Sequence, residues 1–582
     1  MTHTTQIEPS ISVNTEPSQK LSRPYGAALT VIAAATALSA CGGGSQPSTS
    51  ASAEEVSDEW LDDGTPPTRA QAAAFLAQAG FGGNMADVDE VVALGFQGWL
   101  NKQVGMSLGT GHIEWMIQRN IADWHYQLWA GAMWNAFAAY PDQLRQRVVY
   151  ALSQIFVVSA RGFTTLHTHY EISGYLDVLT KHALGNFRDL LEAVTLNPAM
   201  GEYLNMRGNR KAEGVRIPDE NYAREIMQLF TIGLEKLNPD GTKVLDSNGR
   251  ITYSYTEEDV QGLAAVFTGW DRTQATDPTA RLSQPAYIRC TPMVHYPDRH
   301  STTEKKFLGV TIPTGTNGLD SLRIALDTLF NHPNTGPFIA IRLIQRLVTS
   351  NPTPAYVKRV ARVFDDNGQG VRGDMAAVVK AVLLGREARG LSIQPPEHRG
   401  KLREPVLRFL QFCRIFSVTS GNHPLPQYRN NWVHGFTDSD TQLGQMPMNA
   451  PSVFNFYTYD FKPLNTDLSR AGLVAPELNL AHEPNAVGYL NFMNRVINSE
   501  TDFQPNIDQY AALAADAAAL VSQLNMLFTG STLSASTLDT ITQAVGSMPT
   551  IGAQNGLNEK RNRVRAAAFL IMASPEYLVQ KT

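Results

Sequence analysis

The chain has 582 residues, of which 43% are hydrophobic and 18% charged, the composition of a globular protein with enough apolar side chains for a sizeable core. Forty-eight basic against 54 acidic residues leave a formal charge of −6, so no broad basic field exists to hold nucleic acid. Three cysteines exclude a disulfide-stapled scaffold and a cysteine-built zinc or iron–sulfur cage.

Residues 1–24 carry only Glu8, Glu16, Lys20 and Arg23, whose charges cancel. The uncharged run from Tyr25 to Ala40, YGAALTVIAAATALSA, falls short of the about 20 residues a spanning helix needs and suits the apolar core of a signal peptide. Its end, Leu38-Ser39-Ala40-Cys41, resembles the lipobox of bacterial lipoproteins. That resemblance implies diacylglyceryl transfer to the Cys41 thiol, cleavage after Ala40 and acylation of the new amine, hence a membrane anchor of two or three chains. Gly42, where inner-membrane lipoproteins carry Asp, implies export to the outer membrane. The alternative is an ordinary secretory signal with a cysteine there by chance. Residues 41–67 then form a flexible Ser/Pro/acidic tether, and the folded body spans 68–582.

Within the body the dominant signal is helical period. Thr68 is placed to N-cap a helix closed by Gly80, and a short helix over Asp87–Leu94 ends at Gly95. The segment Ile113–Ala138 holds Trp115, Trp124, Trp129 and Trp134. It reads as a core helix, with an aromatic platform for sugars or a bilayer-facing ridge as the sharper alternatives. Helical pattern continues over Arg145–Val158, Ile172–Leu184 and Phe187–Thr195. The turn signals Asp240-Gly241 and Asn248-Gly249 frame two short β-type runs, Lys243–Leu245 and Ile251–Tyr253, as a small hairpin excursion. Thr256 and Asp259 then form a capping-box pattern ahead of the face Val260, Leu263, Ala264, Phe267, with Gly269 as its stop.

Residues 278–318 read as long irregular loops, helices return over 319–384 and 404–416, residues 421–476 are loop-heavy and aromatic, and helices close the chain from 485 to 577. The phrases AVTLNPAMGEYL, AVVKAVLLGREA and AAAFLIMASPEYL suggest a degenerate helical repeat. The expected fold is mainly α: one large multi-helical domain with a small β-hairpin excursion and long irregular loops.

Gly368-Gln369-Gly370-Val371-Arg372-Gly373 matches a dinucleotide fingerprint in letters only, because the segment before it has helical spacing and Asp374 is set to N-cap the next helix. No other nucleotide or flavin motif, nucleophile elbow, H-E-x-x-H or calcium loop is present. The phrases PDENYAREIMQLFTIGLEKLNPDG (218–241), YTEEDVQGLAAVFTGW (255–270), HPNTGPFIAIRLIQRLV (332–348), KLREPVLRF (401–409), LGQMPMNAPSVFNFY (443–457), GLVAPE (472–477) and SPEYLVQK (574–581) resemble the bacterial DUF1800 family, a family of unknown function. The resemblance covers roughly 68–582 and implies a secreted or envelope protein, often encoded beside a DUF1501 protein.

The residues themselves offer three candidate sites. On the helix after Asp219, Glu220–Arg224 and Asn221–Glu225 are i,i+4 pairs; they read either as a salt-bridged docking helix or as Glu225 acting as acid/base or metal ligand with Arg224 orienting an anion. His167 and His169 lie on one side if the chain is extended, and His295, Asp298 and His300 combine imidazole with carboxylate; either set suits a divalent metal or simply braces its loop. His182 near a helix C-terminus is placed where imidazolium is favourable. Cys290 and Cys413 are the cysteines that remain for an exported body, so a disulfide between them is open. The leading functional expectation is an envelope-anchored binding, assembly or export-associated protein acting with a DUF1501-type partner. The alternative is a metal-assisted hydrolase acting on an extracellular polymer.

Overall fold

Capping chemistry divides the chain into its helices. In a computed structural model, which describes residues 65–118, 128–163, 167–276, 282–391, 394–420, 442–501, 503–550 and 556–581, Thr68 and Gln71 form a reciprocal capping box on the helix Arg69–Ala79. Thr256 and Asp259 do the same for Glu257–Val266. The short helix expected over Asp87–Leu94 starts at Met85 from an Asn84 cap and breaks at Gly95, at φ 68° and ψ 168°, after which a second helix runs on to Val104. The leader, Cys41, most of the tether, Trp124 and Trp432 lie outside the described residues.

The fold is mainly α, with four two-stranded antiparallel pairs among the described residues. The main apolar core runs through the helices from Ala72 to Tyr577, and a smaller one gathers Trp115, Met116, Ala132, Tyr170 and Ala286; the described residues form one compact unit. Two of the strand pairs join distant parts of the chain: Lys401–Leu402 with Val579–Gln580, and Thr419–Ser420 with Phe503–Gln504. No described helix is long and apolar enough to cross a membrane.

Trp115, Trp129 and Trp134 are 2%, 3% and 0% exposed, so these three rings are core and form neither a sugar platform nor a bilayer ridge. Trp134 meets Phe409 edge-on at 5.6 Å. The hairpin excursion is present but has a third member. Glu235–Leu237, Lys243–Leu245 and Ile251–Tyr253 bridge one another, each bonded to both others, through Lys236 N to Thr252 O, Val244 N to Lys236 O and Thr252 N to Val244 O at 2.8–3.0 Å.

The long irregular region is more ordered than its composition suggests. It contains the helix Gln284–Cys290, the strand Val294–His295 paired to Trp270–Asp271, and a hairpin of Lys305–Phe307 with Val310–Ile312. These elements are too short to carry a readable period, and packing stabilises them: the hairpin lies on the helix Glu257–Val266.

The three repeat-like phrases share a local shape, a long helix followed after a capping residue by a short one. These are Phe187–Thr195 then Pro198–Tyr203, Met375–Leu384 then Arg386–Arg389, and Leu557–Ala573 then Pro575–Leu578. The glycine-rich phrase is the connection between Pro354–Asp365 and Met375–Leu384, with Asp374 as N-cap of the latter. Cys290 and Cys413 are both free thiols, so no disulfide joins them.

Candidate functional site

Charged side chains from four parts of the chain meet inside the helical body beneath a cleft. The helix Thr335–Leu347 supplies Phe338, Arg342 and Arg346, spaced by four so that they share a stripe. The helix Gln143–Ser153 and its C-cap supply Arg147, Tyr150 and Gln154 on the same principle. Lys401 and Glu404 precede the helix Pro405–Ile415, which Pro405 starts at its first position, with Glu404 as N-cap residue. Gln445, Tyr457, Tyr459 and Glu477 come from the largely irregular stretch that follows.

Glu404 is fully buried, and its Oε2 accepts from Tyr150 Oη at 2.7 Å, Gln154 Nε2 at 2.7 Å and Gln445 Nε2 at 2.5 Å. Burial works to raise its pKa, but Lys401, Arg346 and the hydrogen bonds hold it below the ordinary carboxylate value. Lys401 is equally buried and uses all three of its donors, to Glu477 Oε1 at 2.8 Å, Gln345 O at 2.8 Å and Arg346 O at 3.1 Å. Arg147 Nη2 donates to Arg346 O at 2.7 Å.

Arg342 stacks on Phe338 at 4.6 Å and on Tyr459 at 3.1 Å, and Arg346 on Tyr457 at 4.8 Å. Burial brings the Arg342 pKa down to about 10, against the pull of Tyr459 and Asp460. Burial also acts to lower Arg346, but Tyr457, Glu404 and Glu477 outweigh it.

A small cleft lies above these groups. One wall is polar, with Gln154, Arg342, Arg346, Tyr457 and Tyr459; the other is apolar, with Ile155, Leu229, Phe338, Val453 and Phe454. Behind the polar wall, Arg147 Nε and Nη1, Gln154 Oε1 and Glu404 Oε1 are buried without a hydrogen-bond partner. Such groups are uncommon in native interiors and concentrate where a ligand or solvent completes the network. The arrangement can bind an anion and orient it. Glu404 Oε2 is held by Tyr150, Gln154 and Gln445, and Glu477 pairs with Lys401.

The residues singled out from sequence lie elsewhere. Arg224 forms a two-pronged pair with Glu257, Nη1 to Oε2 at 3.0 Å and Nη2 to Oε1 at 2.8 Å, and also donates to Glu220 at 3.2 Å. This docks Asn221–Glu225 onto Glu257–Val266, the salt-bridged-helix alternative. Asn221 is exposed, with its backbone N–H on Asp219 Oδ1 at 2.9 Å. Glu225 is 7% exposed with Oε2 unpartnered, and burial raises its pKa against Arg224. It stands where the α-helix gives way to π-helical Ile226–Thr231, which sets Leu229 on the cleft's apolar wall.

His167 and His169 open the helix Thr168–His182 instead of lying extended, and their rings, 6.3 Å apart, both turn to Tyr170. His300 is 1% exposed with Nδ1 2.9 Å from Thr268 O, and its ring meets that of His295 at 5.1 Å. His295 Nε2 lies 2.0 Å from where a Cβ on Gly318 would be, so the ring packs against the start of the helix Gly318–Asn331. Asp298 sits on the turn Pro297–Arg299 and acts on His295 only through its charge. At His182, burial and Lys181 pull the pKa down against Asp189. No three His, Cys, Asp or Glu side chains among the described residues are grouped to hold a metal ion.

A model of the family described as "Protein of unknown function (DUF1800)" matches residues 74–579. The chain belongs to this family. No curated protein and no solved structure matches it. Several phrases that carry the family likeness contain the cleft's charged groups: Arg342 and Arg346 in 332–348, Lys401 and Glu404 in 401–409, Gln445 and Tyr457 in 443–457, and Glu477 at the end of 472–477. The signal that could have found them is charge at helical spacing inside otherwise apolar runs, where a solvated face would not fall.

Proposed function

We propose that this DUF1800 protein is an envelope-anchored lipoprotein that acts by binding, held to the outer membrane through lipid on Cys41 and working with a DUF1501-type partner. The cleft is the observation that carries the binding reading. It offers guanidinium groups and apolar side chains for recognition, and its buried carboxylates are engaged, Glu404 by Tyr150, Gln154 and Gln445 and Glu477 by Lys401. The lipobox resemblance supports the anchor, and the family's gene neighbourhood supports the partner. The hydrolase alternative leaned on Glu225 and the histidines acting together. Arg224 is engaged with Glu257, and His295 and His300 with each other, so nothing in their geometry favours that reading.

The test is fractionation of cells fed a labelled fatty acid, followed by co-purification from solubilised membranes. Wild type should carry label, sediment with the outer membrane and bring the partner with it. Cys41→Ser should be unlabelled and soluble. Equal sedimentation of the two proteins without label would sink the anchor.

A further inference from the structure

We propose that the Arg342–Arg346 cleft binds a carboxylate carried on a small apolar body. The assignment rests on the binding reading above and deepens it by naming the ligand chemistry. Four cations, Arg147, Arg342, Arg346 and Lys401, surround two buried carboxylates, Glu404 and Glu477, an excess of two positive charges. Asp460, which acts on Arg342 through its charge, reduces the excess to one. A low-dielectric pocket with an uncompensated positive charge favours a monoanion.

The geometry narrows the anion further. Arg342 and Arg346 are one helical turn apart, and stacking against Tyr459 and Tyr457 braces both side chains. A planar guanidinium fork matches a carboxylate in two-point hydrogen bonding. Tyr457, whose hydroxyl interacts with Glu404, lies on the same wall. The facing wall of Leu229, Phe338, Val453 and Phe454 has no charge to offer, so the rest of the ligand must be apolar.

Calorimetry on the full chain in detergent tests this with four probes: N-acetyl-leucine, its uncharged amide, acetate and inorganic phosphate. N-acetyl-leucine should bind at least tenfold more tightly than each of the others. Arg346→Gln should weaken it tenfold or more. Phe454→Ala, which removes a ring that is 47% exposed and so leaves the fold intact, should weaken N-acetyl-leucine while leaving acetate unchanged. The proposal is overturned if the amide or phosphate binds as tightly as N-acetyl-leucine, if N-acetyl-leucine does not bind, or if Phe454→Ala has no effect. Failure of all four probes alongside normal Cys41-dependent anchoring and partner capture removes the ligand assignment alone. Loss of anchoring and capture with N-acetyl-leucine still bound removes the envelope reading alone.

Discussion

Replacing Lys401 by Met should cost about 3–5 kcal/mol, because it leaves one buried carboxylate without its counter-charge. The Lys401 side chain is 0% and the Glu477 side chain 2% exposed, with 2.8 Å between Nζ and Oε1. At that distance and an effective dielectric of about 20, the Coulomb attraction is about 6 kcal/mol, most of which offsets desolvation of the two ions. After the substitution Glu477 retains only Ser350 Oγ, at 3.4 Å, among its short contacts. Of the two carbonyls that Lys401 serves, Arg346 O keeps Arg147 and Gln345 O loses its side-chain donor. Glu477→Gln should be comparably damaging, since it leaves a buried ammonium.

The double variant Lys401→Met/Glu477→Gln should lie within about 2–3 kcal/mol of wild type, well short of the sum of the two singles, because it removes both charges together. Urea unfolding of all four proteins at pH 7, followed by circular dichroism, measures the cycle. Single variants within 1 kcal/mol of wild type, or a double variant equal to the sum, would refute the argument that this pair is buried and mutually compensated.

Gly262→Ala should unfold or strongly destabilise the chain, by about 3 kcal/mol or more, since its Cβ would sit 1.7 Å from Lys306 O where the hairpin rests on the helix; a thermal midpoint unchanged from wild type would rule out that close approach. Thr256→Ala removes a capping box and should cost about 1 kcal/mol, read as a small loss in urea midpoint. His300 should make stability pH-dependent. Burial brings its pKa to about 4 from an unfolded value near 6.5, with Lys305 and His295 adding and the Thr268 hydrogen bond opposing. The folded form therefore stays neutral while the unfolded chain takes a proton. That contribution is fully present above pH 6.5 and is lost as pH falls toward 4, by roughly 2–3 kcal/mol. His300→Gln should flatten this slope in urea midpoints measured between pH 7.5 and 4.5, and an unchanged slope would point to other groups.

How much was legible beforehand depended on how local each cause is. The capping boxes at Thr68 and Thr256, the Asp374 cap and the turn at Asn248-Gly249 act within four residues, so sequence reading placed them correctly. Gly95 is the expected stop, at positive φ, but the helix that resumes after it to Val104 was not legible. The short elements between 284 and 312 were invisible because strands of two or three residues and a helix of seven carry no readable period.

The lipobox phrase by itself set the expected address, helical period the fold class and the long phrases the family likeness, since each depends on short-range pattern. Tertiary structure decided everything about the cleft. Arg147 and Arg346 are 199 residues apart, and Tyr150 and Glu404 are 254 apart, yet each pair is directly hydrogen-bonded. Helical spacing shows that such residues share a stripe, but not which stripe faces another. Burial and counter-charge separate the buried Glu404 from the solvent-facing Glu220 and Arg224, and both arise only when the helices pack.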